Sequence, residues 1–79
     1  MAVSVQVVDD IGMMRNALKE IVLHHGMELA CEAGDGRRAV ALYLEKKPDV
    51  VLMDITMPRM DGIDALRHIL HHDPKAKVI

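Results

Sequence analysis

Asp9 and Asp10 close one apolar, β-branched run of this chain, and Asp54 closes another. If the two runs are neighbouring strands, the three acids converge on one small volume. Carboxylates at such range repel, and in a partly desolvated site one is driven to take a proton unless a cation offsets the charge. Hard oxygen ligands, few in number, suit Mg²⁺ better than Zn²⁺. A Mg²⁺ ion beside an exposed carboxylate suits phosphoryl transfer to that carboxylate. The bland alternative is that acids at strand ends are solvated turn residues. A second acid after another strand, followed by Pro58 and Asp61-Gly62, favours the site.

The elements that must position these acids can be read in order. Val3 to Val8 is a first strand stopping at Asp9-Asp10. From Gly12, Met14, Leu18, Ile21, Val22 and His25 recur at helical spacing, with Arg15, Asn16, Lys19 and Glu20 on the other side and Gly26 as the stop. Met27 to Ala33 alternates loosely as a second strand, an edge strand with Glu28 and Glu32 facing water. Gly34-Asp35-Gly36 is a turn in which Asp35 caps a helix over Arg37 to Lys47, with Ala39, Val40, Tyr43 and Leu44 inward and Pro48 ending it.

Val50 to Met53 is a third strand, apolar on both faces and running straight into Asp54. A third helix over Gly62 to His72 turns Ile63, Leu66, Ile69 and Leu70 to the core. Lys77-Val78-Ile79 begins a fourth strand. Strand and helix alternate with short connections, which implies an α/β fold: an open parallel sheet joined by right-handed crossovers. Ligands bind such sheets outside the carboxyl ends of the strands, where strand order reverses.

Composition narrows the function classes. With 79 residues the chain makes one small domain, and with Tyr43 as its only aromatic the core is built from Val, Leu, Ile, Met and Ala. A net charge of −2 with both signs scattered argues against nucleic acid as a partner. The first eight residues are too short and too interrupted for a membrane span or a signal peptide, so a cytoplasmic location and no membrane partner are expected. Cys31 stands alone and reads as a small buried residue.

Val7-Val8-Asp9-Asp10, together with Met53-Asp54-Ile55-Thr56-Met57-Pro58-Arg59-Met60-Asp61-Gly62, resembles the receiver domain of two-component response regulators. Gly34-Asp35-Gly36, Ala39, the run from Gly62 to Leu66, Pro74 and Lys77-Val78-Ile79 extend the likeness, nearest to the stand-alone chemotaxis receivers. The resemblance implies a flavodoxin-like sheet of order 2-1-3-4. It also implies that Asp54 accepts a phosphoryl group from a phosphohistidine of a sensor histidine kinase, making the chain a phosphoacceptor rather than an enzyme. Asp10, helped by Asp9, would bind Mg²⁺ with Asp54 and the backbone carbonyl of Thr56. The Thr56 side chain would border the path of the hydrolytic water, and Met57 would pack at the edge of the site.

Receivers continue through a complete fourth strand, a fifth strand and two more helices, so residues 1–79 read as the amino-terminal part of one receiver domain. The chain lacks the Ser or Thr that ends the family's fourth strand and the Lys of its fifth, both of which contact the phosphoryl group. Lys75 and Lys77 are poor substitutes, being at the amino end of strand four. Impaired phosphorylation is expected, and so is a homodimer meeting through exposed apolar faces or sheet edges. The rival function is a non-catalytic, self-associating half-domain. A haloacid-type phosphatase would want Asp-x-Asp at its nucleophile, which Asp54-Ile55-Thr56 does not offer. His68 and His72, four apart on a helix, have the spacing for one Zn²⁺, but no third ligand fits, so the histidines and Arg37-Arg38 read as solvated surface.

Overall fold

In a computed structural model, which describes residues 2–54 and 62–79, strand and helix alternate three times. The elements are β1 (Ser4–Val8), α1 (Gly12–His24), β2 (Glu28–Ala33), α2 (Gly36–Lys46), β3 (Val50–Met53) and α3 (Gly62–His72). The three strands form a parallel sheet of order β2-β1-β3. Beyond β3, Val78 makes a parallel bridge with Val51. The Val51 N–H donates to the Lys77 carbonyl, and the Ile79 N–H donates to the Val51 carbonyl. This is the expected start of a fourth strand in the order 2-1-3-4.

The order dictates the layers. The chain moves from β1 outward to β2, then back across β1 to β3, and right-handed crossovers place the two connecting helices on opposite faces. Period-2 alternation sorts the side chains accordingly. Val5 and Val7 meet Val22 of α1, with Leu18, Leu29 and Leu52 around them. Val8, Ala33 and Val51 meet Ala39 and Tyr43 of α2 and Ile69 of α3.

Local signals act as read at two helix boundaries. The Asp35 carboxylate accepts from the Arg38 N–H at 2.9 Å, an N-cap that satisfies one of the donors at the start of α2. Gly26, at φ 76°, takes the left-handed turn that follows α1. Lys47 takes a left-handed φ as well and is the C-cap of α2 rather than its last residue.

Several expectations are corrected. Met14 and Ile21 are exposed on α1, which buries only Val22 completely. Leu44 is exposed and Leu42 packs against the core in its place. On α3 Gly62, Ala65 and Ile69 are buried while Ile63 and Leu70 are exposed. β3 is less enclosed than an apolar run suggests, since only Val51 is fully buried. Cys31 is half-buried, and its thiol pKa is raised chiefly by desolvation.

Gln6, which interrupts the apolar pattern of β1, is completely buried. Its Nε2 donates to the Ala39 carbonyl at 3.0 Å, and its Oε1 has no partner among the described residues. A polar residue in the middle strand thus fastens α2 to the sheet.

Candidate functional site

The register of the sheet delivers the acids. Val7 pairs with Leu52 and Val8 with Met53, so continuing the ladder by one step sets Asp9 beside Asp54. Two backbone bonds hold that step: the Asp54 N–H donates to the Val8 carbonyl at 2.9 Å, and the Asp9 N–H donates to the Ala33 carbonyl at 3.1 Å. Both acids fall on the face that carries α1. The site therefore lies where β1 and β3 adjoin, the place at which the chain's direction across the sheet reverses.

Asp9, Asp10 and Asp54 each offer a carboxylate oxygen, and these oxygens lie within 4.8 Å of one another. Asp9 is buried, Asp54 half-buried and Asp10 exposed. The Asp9 carboxylate also accepts from the Ile11 N–H at 2.9 Å, which fixes its rotamer at the turn into α1. Three oxygens with no sulfur or nitrogen among them form a hard donor set that fits Mg²⁺. The structure thus brings together all three of the predicted acids. The predicted roles of Thr56 and Met57 fall on residues outside those described.

Two residues that support the site were not read as such. Arg15 and Lys19 were expected on the outer side of α1, and Glu32 in water. Instead Arg15 Nε donates to Glu32 Oε1 at 2.9 Å, and Lys19 Nζ lies 2.6 Å from Glu32 Oε2. Hydrogen bonds from Lys19 first, and then from Arg15, hold the Glu32 carboxyl below its ordinary range. Arg15 Nη1 also donates to the Asp9 carbonyl at 2.8 Å. The signal for this lies in the parity of β2: Glu32 pairs with Val7, so it shares the face on which α1 lies.

Other candidates do not join the site. Lys75 and Lys77 line a groove at the opposite end of the sheet, with Ser4 and Asp49. Among the described residues the acid trio is the one group of three or more side chains with metal-ligand geometry, so the histidines form no such centre. No helix of the described residues is long and apolar enough to cross a membrane.

Comparison with known proteins agrees with the geometry. The family model of the response regulator receiver domain matches residues 5–79. The chemotaxis protein CheY of Thermotoga maritima is 55% identical over 75 residues, a match covering 95% of this chain and 62% of that protein. The chain thus spans about three-fifths of that relative's length. A solved CheX–CheY–BeF₃–Mg complex from Borrelia burgdorferi superposes with a TM-score of 0.94 at 37% identity, covering 96% of this chain and 58% of the solved one. The response regulator domain of Thermotoga maritima CheB gives a TM-score of 0.94 at 42% identity, covering 99% and 58%. Matched along nearly all of its length, with the acids of its first and third strands gathered at the point where strand order reverses, the chain belongs to the response regulator receiver domain family.

Proposed function

We propose that this chain is the phosphoaccepting part of a two-component phosphorelay. Asp54 takes a phosphoryl group from a phosphohistidine of a sensor histidine kinase, in the cytoplasm. The observation that carries the reading is the convergence of Asp9, Asp10 and Asp54 within 4.8 Å. Asp9, Asp10, Asp54 and the backbone carbonyl of Thr56 would hold Mg²⁺, which when bound offsets negative charge on the phosphoryl oxygens. The BeF₃ and Mg accompanying the Borrelia relative support the same chemistry here.

In the transfer an Asp54 carboxylate oxygen forms the new bond to phosphorus while the bond from phosphorus to the donor imidazole nitrogen breaks. The electron pair of that bond returns to the ring. The product is an acyl phosphate, one per chain, so the chain is consumed and regenerated as an acceptor. The backbone bond from Asp54 to Val8 fixes where the acceptor stands, and the Ile11 N–H fixes the Asp9 carboxylate beside it. By the family resemblance the Thr56 side chain would border the path of the hydrolytic water and Met57 would pack at the edge of the site.

Lys75 and Lys77 lie too far along the sheet to serve the phosphoryl group. The test is incubation with acetyl phosphate and Mg²⁺, read by intact mass. The expected result is a gain of one phosphate that vanishes in Asp54→Asn. An unmodified wild-type chain, or an adduct surviving in Asp54→Asn, overturns the reading.

A second reading is favoured by a groove beside the acids, lined by Leu18, Leu52, Met53 and Ile79. An open apolar groove along a sheet edge drives self-association, here as a homodimer. Sedimentation that gives a monomer mass at every concentration overturns it.

A further inference from the structure

One side chain links the acid pair to two other elements, and it is a cation. Arg15 stands in the first turn of α1, its own N–H donating to the Ile11 carbonyl at 2.9 Å. Its guanidinium crosses the carboxyl end of the sheet, with Nη1 on the Asp9 carbonyl at 2.8 Å and Nε on Glu32 Oε1 at 2.9 Å. A Cβ built on Gly34 would stand 3.4 Å from Nη1, so the fork lies directly against bare backbone at the end of β2. β1, α1 and β2 are thereby tied at one point.

We infer that Arg15 is a positioning residue for the divalent-cation site: by holding the Asp9 carbonyl it fixes the peptide plane between Asp9 and Asp10, and with it the directions in which both carboxylates leave the backbone. This rests on the reading of the acid trio as a cation site. Three like charges within 4.8 Å push one another apart, and Asp10, exposed in the turn, has room to swing away. The Asp9 N–H is already committed to the Ala33 carbonyl and the Asp9 carboxylate to the Ile11 N–H. The Asp9 carbonyl is the remaining handle, and Arg15 occupies it. The bond from Nε to Glu32, which also holds Lys19, anchors the other edge of the guanidinium and keeps the fork on the Asp9 carbonyl.

Lysine cannot replace this fork, because a single ammonium has no planar geometry that serves both a carbonyl and a carboxylate. Residues that orient metal ligands without touching the metal typically change affinity about 10- to 100-fold when removed. The test is calorimetric titration with MgCl₂ of the wild-type chain, Arg15→Lys, Arg15→Ala and Glu32→Gln. Each is taken at a temperature where circular dichroism in EDTA shows it folded.

The expected result is Mg²⁺ affinity lowered about 10-fold or more in Arg15→Lys at near wild-type thermal stability, and lowered less in Glu32→Gln, which frees the fork without removing it. If Arg15→Ala fails to fold, Arg15→Lys and Glu32→Gln still decide. Wild-type affinity in a folded Arg15→Lys overturns the inference and leaves the cation site standing. A wild-type chain that takes up no Mg²⁺ overturns both.

Discussion

Carboxylates occur at both ends of this sheet, and the two ends use them in opposite ways. At the amino end Asp49 accepts from the Ser4 N–H at 2.9 Å and from its hydroxyl at 3.2 Å, while the Asp49 N–H donates back to Ser4 Oγ at 3.0 Å. Close by, Asp73 accepts from the Tyr43 hydroxyl at 2.8 Å and from the Lys75 N–H at 3.1 Å. Each acid there is matched to donors of its own chain, and each closes a connection between elements far apart in sequence. At the carboxyl end Asp9 accepts from the Ile11 N–H, yet Asp9, Asp10 and Asp54 also face one another. The lesson is that donors supplied by the fold turn a carboxylate into a staple, whereas other carboxylates turn it into half of a site that a cation completes.

The largest effect that separates the two ends is stabilisation by metal. On the proposed reading, Mg²⁺ at a hundred times its Kd should raise the free energy of unfolding by about 2.7 kcal/mol. Urea titrations with and without MgCl₂ measure that increment. Asp10→Asn removes most of it and, by relieving repulsion, makes the metal-free chain more stable. Asp49→Asn leaves the increment unchanged. An increment lost equally in both variants would break the comparison, because it would mean that the metal acts through the fold as a whole.

Next in size is the staple itself. Hydrogen bonds to a charged group contribute about 1.5–3 kcal/mol each. Asp49 is exposed, so water replaces part of what Asp49→Ala removes, and the expected cost sits at the low end, about 1.5 kcal/mol. Urea midpoints measure it. The acceptor chemistry at the other end should persist in this variant, with the same gain of one phosphate by intact mass.

Much of this arrangement was legible in the sequence because it depends on short-range pattern. The β-branched runs ending at Asp9-Asp10 and Asp54, the Asp35 cap and the Gly26 stop are all decided within a few residues, and the alternation of strand and helix implies a parallel sheet, whose order followed from the family resemblance. What escaped depends on register between distant strands. Ser4 and Asp49 are 45 residues apart and meet because β1 pairs with β3 at one particular offset. Glu32 looked solvated because β2 is an edge strand, yet its parity turns it to the face where Arg15 and Lys19 reach down from α1. Gln6 looked like an interruption until the Ala39 carbonyl was placed above it.

The smallest effect sharpens the comparison through pH. Burial first, and then the hydrogen bond to Asp73, push the Tyr43 phenol up to about 12, against about 10 for a free tyrosine. The folded chain therefore holds the phenolic proton more tightly than the unfolded chain does. The stabilisation is fully present below pH about 10 and is lost as pH rises from about 10 to about 12. Tyr43→Phe has no such proton, and at neutral pH it costs about 1.5 kcal/mol, the low end for a bond to a charged group, because Asp73 is still held by the Lys75 N–H. Lysines titrate in the same window in both proteins, so the readout is the difference between wild type and variant in urea unfolding at each pH. That gap should shrink from pH 9 toward pH 11.5 and should be indifferent to Mg²⁺. A gap constant with pH would mean that the Tyr43–Asp73 bond is not felt in stability. A gap that responded to Mg²⁺ would mean that the amino-end staple and the carboxyl-end acids are one coupled system rather than two.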